Sequence, residues 1–184
     1  MIIETIISSI DQKGKINFAP FGIKKIKNKI FISPYTPSKT LENLKDSKCA
    51  VVNYTNDSSF FVNCIIGEKK FKKSKCKRIN GFFLEDSLSF DEVVVDKICP
   101  DKLRPTFICK IVNSQINRRF EGFNRAHSSI IEACILASRV KILKKERILK
   151  DMEFLNSAVE KTAGRKELNL WKTIENYIEG EFTK

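Results

Sequence analysis

Two patterns of apolar and polar positions divide the chain. Up to about residue 120 the apolar residues come in short runs and alternations, the spacing of strands; beyond 124 they recur at helical spacing. Residues 2–9, IIETIISS, predict a strand, and Asp11 to Gly14 a hairpin turn in which Gly14 takes a positive φ. The return strand covers 15–19 and ends at Pro20, with Phe21-Gly22 as a tight corner. A third strand spans about 23–32, where Lys24, Lys25, Lys27 and Lys29 interleave with Ile23, Ile26, Ile30 and Ile32, broken by a bulge or turn near Asn28. A helix at 38–46 precedes an apolar strand at 48–54, and 60–66 reads as a short strand or helix ending at Gly67. Further strands fall at 81–84, 90–98 and 106–120, the last bending near Asn113-Ser114. Three helices follow. The first, 124–143, is capped by Asn124; the second, about 145–162, stops at Gly164 as its C′ residue; the third, 167–180, stops at Gly180.

These elements predict an α+β fold: an antiparallel β-rich domain at 1–121 and a helical region at 122–184 packed on it as one compact unit. No internal repeat and no Gly/Ser linker interrupts the chain.

The stretch from Ser33 to Thr55, SPYTPSKTLENLKDSKCAVVNYT, carries the strongest candidate chemistry. Thr36 caps its helix with Pro37 in the first turn, or Ser38 caps it two residues later. Ser38, Lys39 and Thr40 set two hydroxyls, one cation and free backbone N–H groups at a helix start, the equipment of a phosphate site. An ordinary capped helix uses the same residues, so the stretch leaves both readings open.

Composition limits the alternatives. Of 184 residues 42% are apolar, enough for a core, and no apolar run approaches a membrane span. The N-terminus has no basic leader and an early Glu4, so it reads as a strand rather than a signal peptide, and a cytoplasmic protein is the expectation. The net charge of +12 invites a nucleic-acid reading, centred on Lys69, Lys70, Lys72, Lys73, Lys75, Lys77 and Arg78. Lysine far outnumbers arginine and Phe71 is the run's single aromatic residue, so a solvated loop or a lysine-blunted edge strand is favoured and nucleic acid disfavoured. The six cysteines form no C-x-x-C pair and stand beside one histidine, so no metal site is expected. Cys76, inside the lysine run, is the one whose thiol charge would favour as thiolate.

Three blocks resemble a known family: MIIETIISSIDQKGKINFAPFGI, then SKTLENL with VVNYTND, then FNRAHSSIIEACILASR. Their order and spacing are similar to the archaeal flavoprotein-like DUF447 family of the FMN-binding split-barrel superfamily. The resemblance implies an antiparallel split β-barrel with a C-terminal helical region, FMN as cofactor and a homodimer. It places Pro20, Phe21 and Gly22 by the flavin ring and Ser38, Lys39 and Thr40 on the phosphate. Asn43 and Asn53 would add amide contacts, and Asn124 and Arg125, at a helix start, would reach the phosphate or the substrate. Arg125, Glu132 and Arg139 share a helix face at intervals of about 10 Å, which also suits a structural ion-pair set. His127 reads as a helix-surface histidine.

No catalytic triad, P-loop or dinucleotide fingerprint is present, so any redox chemistry would belong to the cofactor, with catalytic residues and electron partners undefined. The rival readings are a flavin-free basic nucleic-acid module and a flavin-free barrel with a structural or pterin-binding role.

Overall fold

A computed structural model describes residues 1–183. Eight strands and five helices follow in the order β1 (Ile3–Ile10), β2 (Ile16–Ile26), β3 (Lys29–Ile32), α1 (Lys39–Ser47), β4 (Cys49–Tyr54), α2 (Ser59–Ile66), β5 (Lys73–Lys75), β6 (Phe82–Leu84), β7 (Ser89–Cys99), β8 (Thr106–Ile116), α3 (Arg125–Ala137), α4 (Lys145–Thr162) and α5 (Arg165–Phe182). They group into two compact units, Met1–Thr55 with Lys70–Phe120, and Asn56–Lys69 with the residues from Glu121 onward.

The first unit is a closed antiparallel barrel of six strands in the order β1-β2-β3-β8-β7-β4, with β5 and β6 as a separate two-stranded ribbon. Alternation decides what fills it. Ile7, Ile23, Ile30, Ile32, Val52, Val93, Phe107 and Cys109 point inward, and Leu41 and Leu44 of α1 join the same core. Lys27 (φ 52) makes the turn between β2 and β3, and Gly14 (φ 81) the turn between β1 and β2. The register between β7 and β8 shifts twice, at Glu92/Val93 and Val95/Lys97, a bulged path that bends both strands.

The lysine run is a strap that contains the short strand β5, the edge-strand alternative of the sequence reading over only three of its residues. Glu92, fully buried on β7, accepts hydrogen bonds from the backbone N–H groups of Lys77 (3.1 Å), Arg78 (2.7 Å) and Ile79 (3.1 Å), and from Asn113 Nδ2 (2.7 Å). Burial alone would raise its pKa, yet these donors, Asn113 foremost, hold the carboxyl below its ordinary range. Asn53 pins the ribbon from β4. Its Nδ2 donates to Ile6 O and Ser8 Oγ, and its Oδ1 accepts from Leu84 N at 2.8 Å.

The second unit is helical, and residues 59–66 form a helix rather than a strand. Phe60, Phe61 and Val62 are buried, and Gly67 (φ 88) ends the helix. The helix at 124–143 is shorter than its pattern: α3 stops at Ala137 and turns fill 138–143. Gly164 is not a C′ residue. It is the N-cap of α5, its N–H donating to Glu167 Oε2 at 3.0 Å. Gly180 ends nothing, since α5 continues to Phe182. Among the described residues no helix is long and apolar enough to cross a membrane.

Candidate functional site

The barrel's second strand is paired unevenly. Residues 16–23 pair with β1, whereas β3 pairs only with Lys24, Lys25 and Ile26. Beyond Ile32 the chain leaves the ladder as a loop through Ser33 and Pro34 to α1. The second edge of residues 16–22 therefore has no strand beside it among the described residues. From Asn17 to Gly22 this edge is about 17 Å long at a strand's rise.

One end of that edge meets the start of α1. Asn17 Nδ2 donates to Thr40 Oγ1 at 3.1 Å, tying β2 to the first turn. Ser38 is the cap, in extended backbone, its Oγ accepting from Leu41 N at 3.3 Å, and Glu42 N reaches Ser38 O. The N–H groups of Lys39 and Thr40 have no protein partner among the described residues, as the geometry of a helix start dictates. Lys39 Nζ stands 3.2 Å from Glu42 Oε2 and 3.7 Å from Asp11 Oδ2, in pairs that solvent reaches. One turn on, Asn43 is fully buried. Its Nδ2 donates to Ser9 Oγ at 3.0 Å, while its Oδ1 has no partner.

The other end of the edge is Pro20-Phe21-Gly22. Phe21 packs partly on the barrel core, and its carbonyl accepts from Thr5 Oγ1 at 2.9 Å. A Cβ on Gly22 would stand 2.8 Å from Ile2 Cγ2 and 2.9 Å from Glu4 Oε1, so only glycine fits without moving both. Beside it lies a pocket of about 290 Å³ bounded by Gly22, Lys24, Phe31, Ser33, Arg104 and Thr106.

The structure thus brings Pro20, Phe21, Gly22, Ser38, Lys39, Thr40 and Asn43 along one strand edge and the helix that meets it. Asn53 lies apart, its amide spent on three protein partners. Asn124 and Arg125 belong to the second unit. There Asn124 caps α3, its Oδ1 accepting from Ala126 N and its Nδ2 donating to Thr162 O. Arg125, Glu132 and Arg139 are exposed and form no ion pair among the described residues.

Two residues are placed differently from expectation. His127 is not on an open surface: its Nδ1 lies 2.8 Å from Ser58 Oγ and 3.3 Å from Ser58 N, and its Nε2 is 3.7 Å from Glu167 Oε1. The hydroxyl sits on the segment before α2, some seventy positions away, so nothing local in sequence announced it. Cys76 is no activated thiol. Burial, then Glu92 and Cys49, push its pKa up to about 12 despite the lysines around it. Sequence reasoning also missed Asp91. Its Oδ2 accepts from Tyr54 Oη (2.7 Å) and Lys25 Nζ (2.8 Å), and its Oδ1 from Ser114 Oγ (2.6 Å). Burial, with Asp91 beside it, raises the Tyr54 phenol pKa, so Tyr54 is a neutral donor.

A closed six-stranded antiparallel barrel with one strand edge left open over a helix start defines the fold class, a split β-barrel. The chain belongs to the DUF447 family, described as proteins of unknown function: the family's N-terminal-domain model matches residues 3–118 and its second model residues 124–176. Among solved structures, an FMN-bound DUF447 protein from Methanosarcina mazei superposes with a TM-score of 0.81 at 21% identity, covering 96% of this chain and 94% of that one. A flavoredoxin from Methanosarcina acetivorans superposes at 0.55 and 15% identity, covering 62% and 68%. A flavin reductase described as putative, from Haemophilus somnus, also gives 0.55 and 15%, covering 62% and 80%. No curated protein matches the chain at a significant level.

Proposed function

We propose that this chain binds FMN along the open edge of β2 and serves as an oxidoreductase or electron-transfer protein. The observation that carries the reading is that edge: about 17 Å of strand backbone without a neighbouring strand, ending at a helix start with two free N–H groups. The reading also draws on the FMN-bound and flavin-reductase proteins that share the fold.

The residues present fit such a group. The N–H groups of Lys39 and Thr40 would hold the phosphate on the positive end of the α1 dipole, with Lys39 Nζ leaving the exposed Glu42 and the partly covered Asp11 to reach it. The Thr40 hydroxyl accepts from Asn17, so its own proton is left to donate. The orphaned Oδ1 of Asn43 offers an acceptor that the protein leaves unused. The edge of 18–22 that faces away from β1 would read the polar edge of the ring. When bound, FMN would supply hydride or single-electron transfer; these residues would bind and orient it.

We also propose that the protein acts as a homodimer. Ile26, Tyr35, Leu103 and Ile116 of the barrel unit are more than half exposed, which suits a covered surface.

The test is to add FMN to the purified chain, remove the excess by gel filtration and record the visible spectrum. A retained, protein-shifted flavin band supports the reading, and its loss in Lys39→Ala and Thr40→Ala with the fold intact supports the site. A folded protein that emerges colourless overturns it.

A further inference from the structure

We infer that the pocket beside Gly22 is a binding site for a small organic carboxylate. Two cations line it, and neither makes an ion pair within 4 Å among the described residues. Lys24 makes no ion pair or hydrogen bond among the described residues. Arg104 donates Nε–H to Ser33 O at 2.9 Å, and its guanidinium lies 4.8 Å from the centre of the Tyr35 ring. Held by that bond and that face, the group keeps both terminal nitrogens unpartnered, the fork that matches a carboxylate.

Two acids lie nearby. Asp101 gives its Oδ1 to the backbone N–H groups of Leu103 and Arg104 rather than to the guanidinium. Glu4 approaches Gly22 but does not line the pocket. Ser33 Oγ and Thr106 Oγ1 are 2.8 Å apart and share one proton, so the other hydroxyl proton can be donated to a ligand. Phe31 and Ile2 supply an apolar wall, and the pocket's 290 Å³ suits a ligand of one ring. A cationic fork, a spare hydroxyl donor and an apolar wall together select an aromatic or short aliphatic carboxylate over a neutral molecule of the same shape. The pocket stands on its own chemistry; its use as the seat of the second substrate rests on the flavin reading.

Benzoate is the probe and benzamide its neutral counterpart. Each is titrated into the full chain, with and without FMN, while backbone amide resonances are followed. The expected result is saturable benzoate shifts at residues 22–24, 31–33 and 104–106, with benzamide at least tenfold weaker. Arg104→Gln should weaken benzoate about tenfold or more, the loss of one charged pair of hydrogen bonds, and Arg104→Lys should restore part of it. Lys24→Gln should weaken benzoate without altering the melting temperature. Absent or scattered shifts, equal binding of benzamide, or mutual exclusion of benzoate and FMN would overturn the inference. Localised benzoate shifts in a chain that retains no FMN would keep the pocket and discard the flavin reading. Retained FMN without benzoate shifts would do the reverse.

Discussion

Glu92 accepts the backbone N–H of Arg78 at 2.7 Å, and through it the barrel holds the lysine strap. The neighbouring N–H groups of Lys77 and Ile79 converge on the same carboxylate, so one acid fixes three consecutive residues of a strongly basic segment.

This latch should open in acid. The Glu92 pKa is depressed on folding, so its contribution is fully present above the unfolded carboxylate pKa, about 4.3, and is lost as pH falls through the folded value. Glu92→Ala should destabilise the barrel by about 2–4 kcal/mol, because it empties a buried position and removes the one acceptor that four part-buried hydrogen bonds share. Hydrogen exchange at Lys77, Arg78 and Ile79 checks both statements. Protection that is unchanged in the variant would show that the strap is held by something else.

The pairing of Asn17 with Thr40 makes a second prediction. Thr40→Val keeps the shape and removes the hydroxyl, costing about 1 kcal/mol of stability. On the flavin reading it should also weaken FMN about tenfold, since the hydroxyl proton is lost to the phosphate. Fluorescence titration of FMN against the folded variant measures this. Equal affinity would remove Thr40 from the site.

Asn53 should behave as a structural residue. It is fully buried, and both ends of its amide are engaged. Asn53→Ala should cost about 2–3 kcal/mol in denaturant unfolding and loosen β6 without a specific change in FMN affinity. A variant with native stability and lost FMN binding would place Asn53 in the site instead.

Lys39 offers a test by salt. If it serves the phosphate, Lys39→Ala should lower FMN affinity about tenfold, and the wild-type affinity should weaken as salt rises, because Lys39 is half exposed and its field is screened. Titrations at two ionic strengths decide it. A wild type and a variant with identical salt dependence would leave the phosphate to the backbone N–H groups alone.

His127 should matter to the helical unit. Its Nδ1 lies within hydrogen-bond distance of both the N–H and the hydroxyl of Ser58, the residue preceding α2. His127→Ala should destabilise by about 2 kcal/mol and raise proteolytic nicking at 56–69. Unchanged protease resistance would show that Phe60 and Phe61 hold α2 without help.

Several features were fixed by short-range chemistry and so were legible in the sequence. Loose alternation along 2–9 and the apolar run at 49–52 mark strands, Gly14 marks the hairpin turn, Asn124 marks a cap and Ser38 is one of two cap candidates for α1, because each depends on residues within a few positions. The motif blocks likewise carried the family. Other features rest on partners brought in from far along the chain. Residues 60–66 satisfy strand and helix patterns alike, and packing against other helices decided for helix. The lysines around Cys76 suggested a thiolate, but burial and Glu92 outweigh them. Ser58 reaches His127 across 69 positions, and Arg104 reaches Ser33 across 71. The sequence determined most of the elements and the family, but it misplaced a break at Phe21-Gly22, which β2 runs straight through, and the helix ends at Gly164 and Gly180. Only the tertiary structure decided which backbone edge stays open and which charges stay unpaired, since both depend on what fails to arrive beside a residue, which no local pattern encodes.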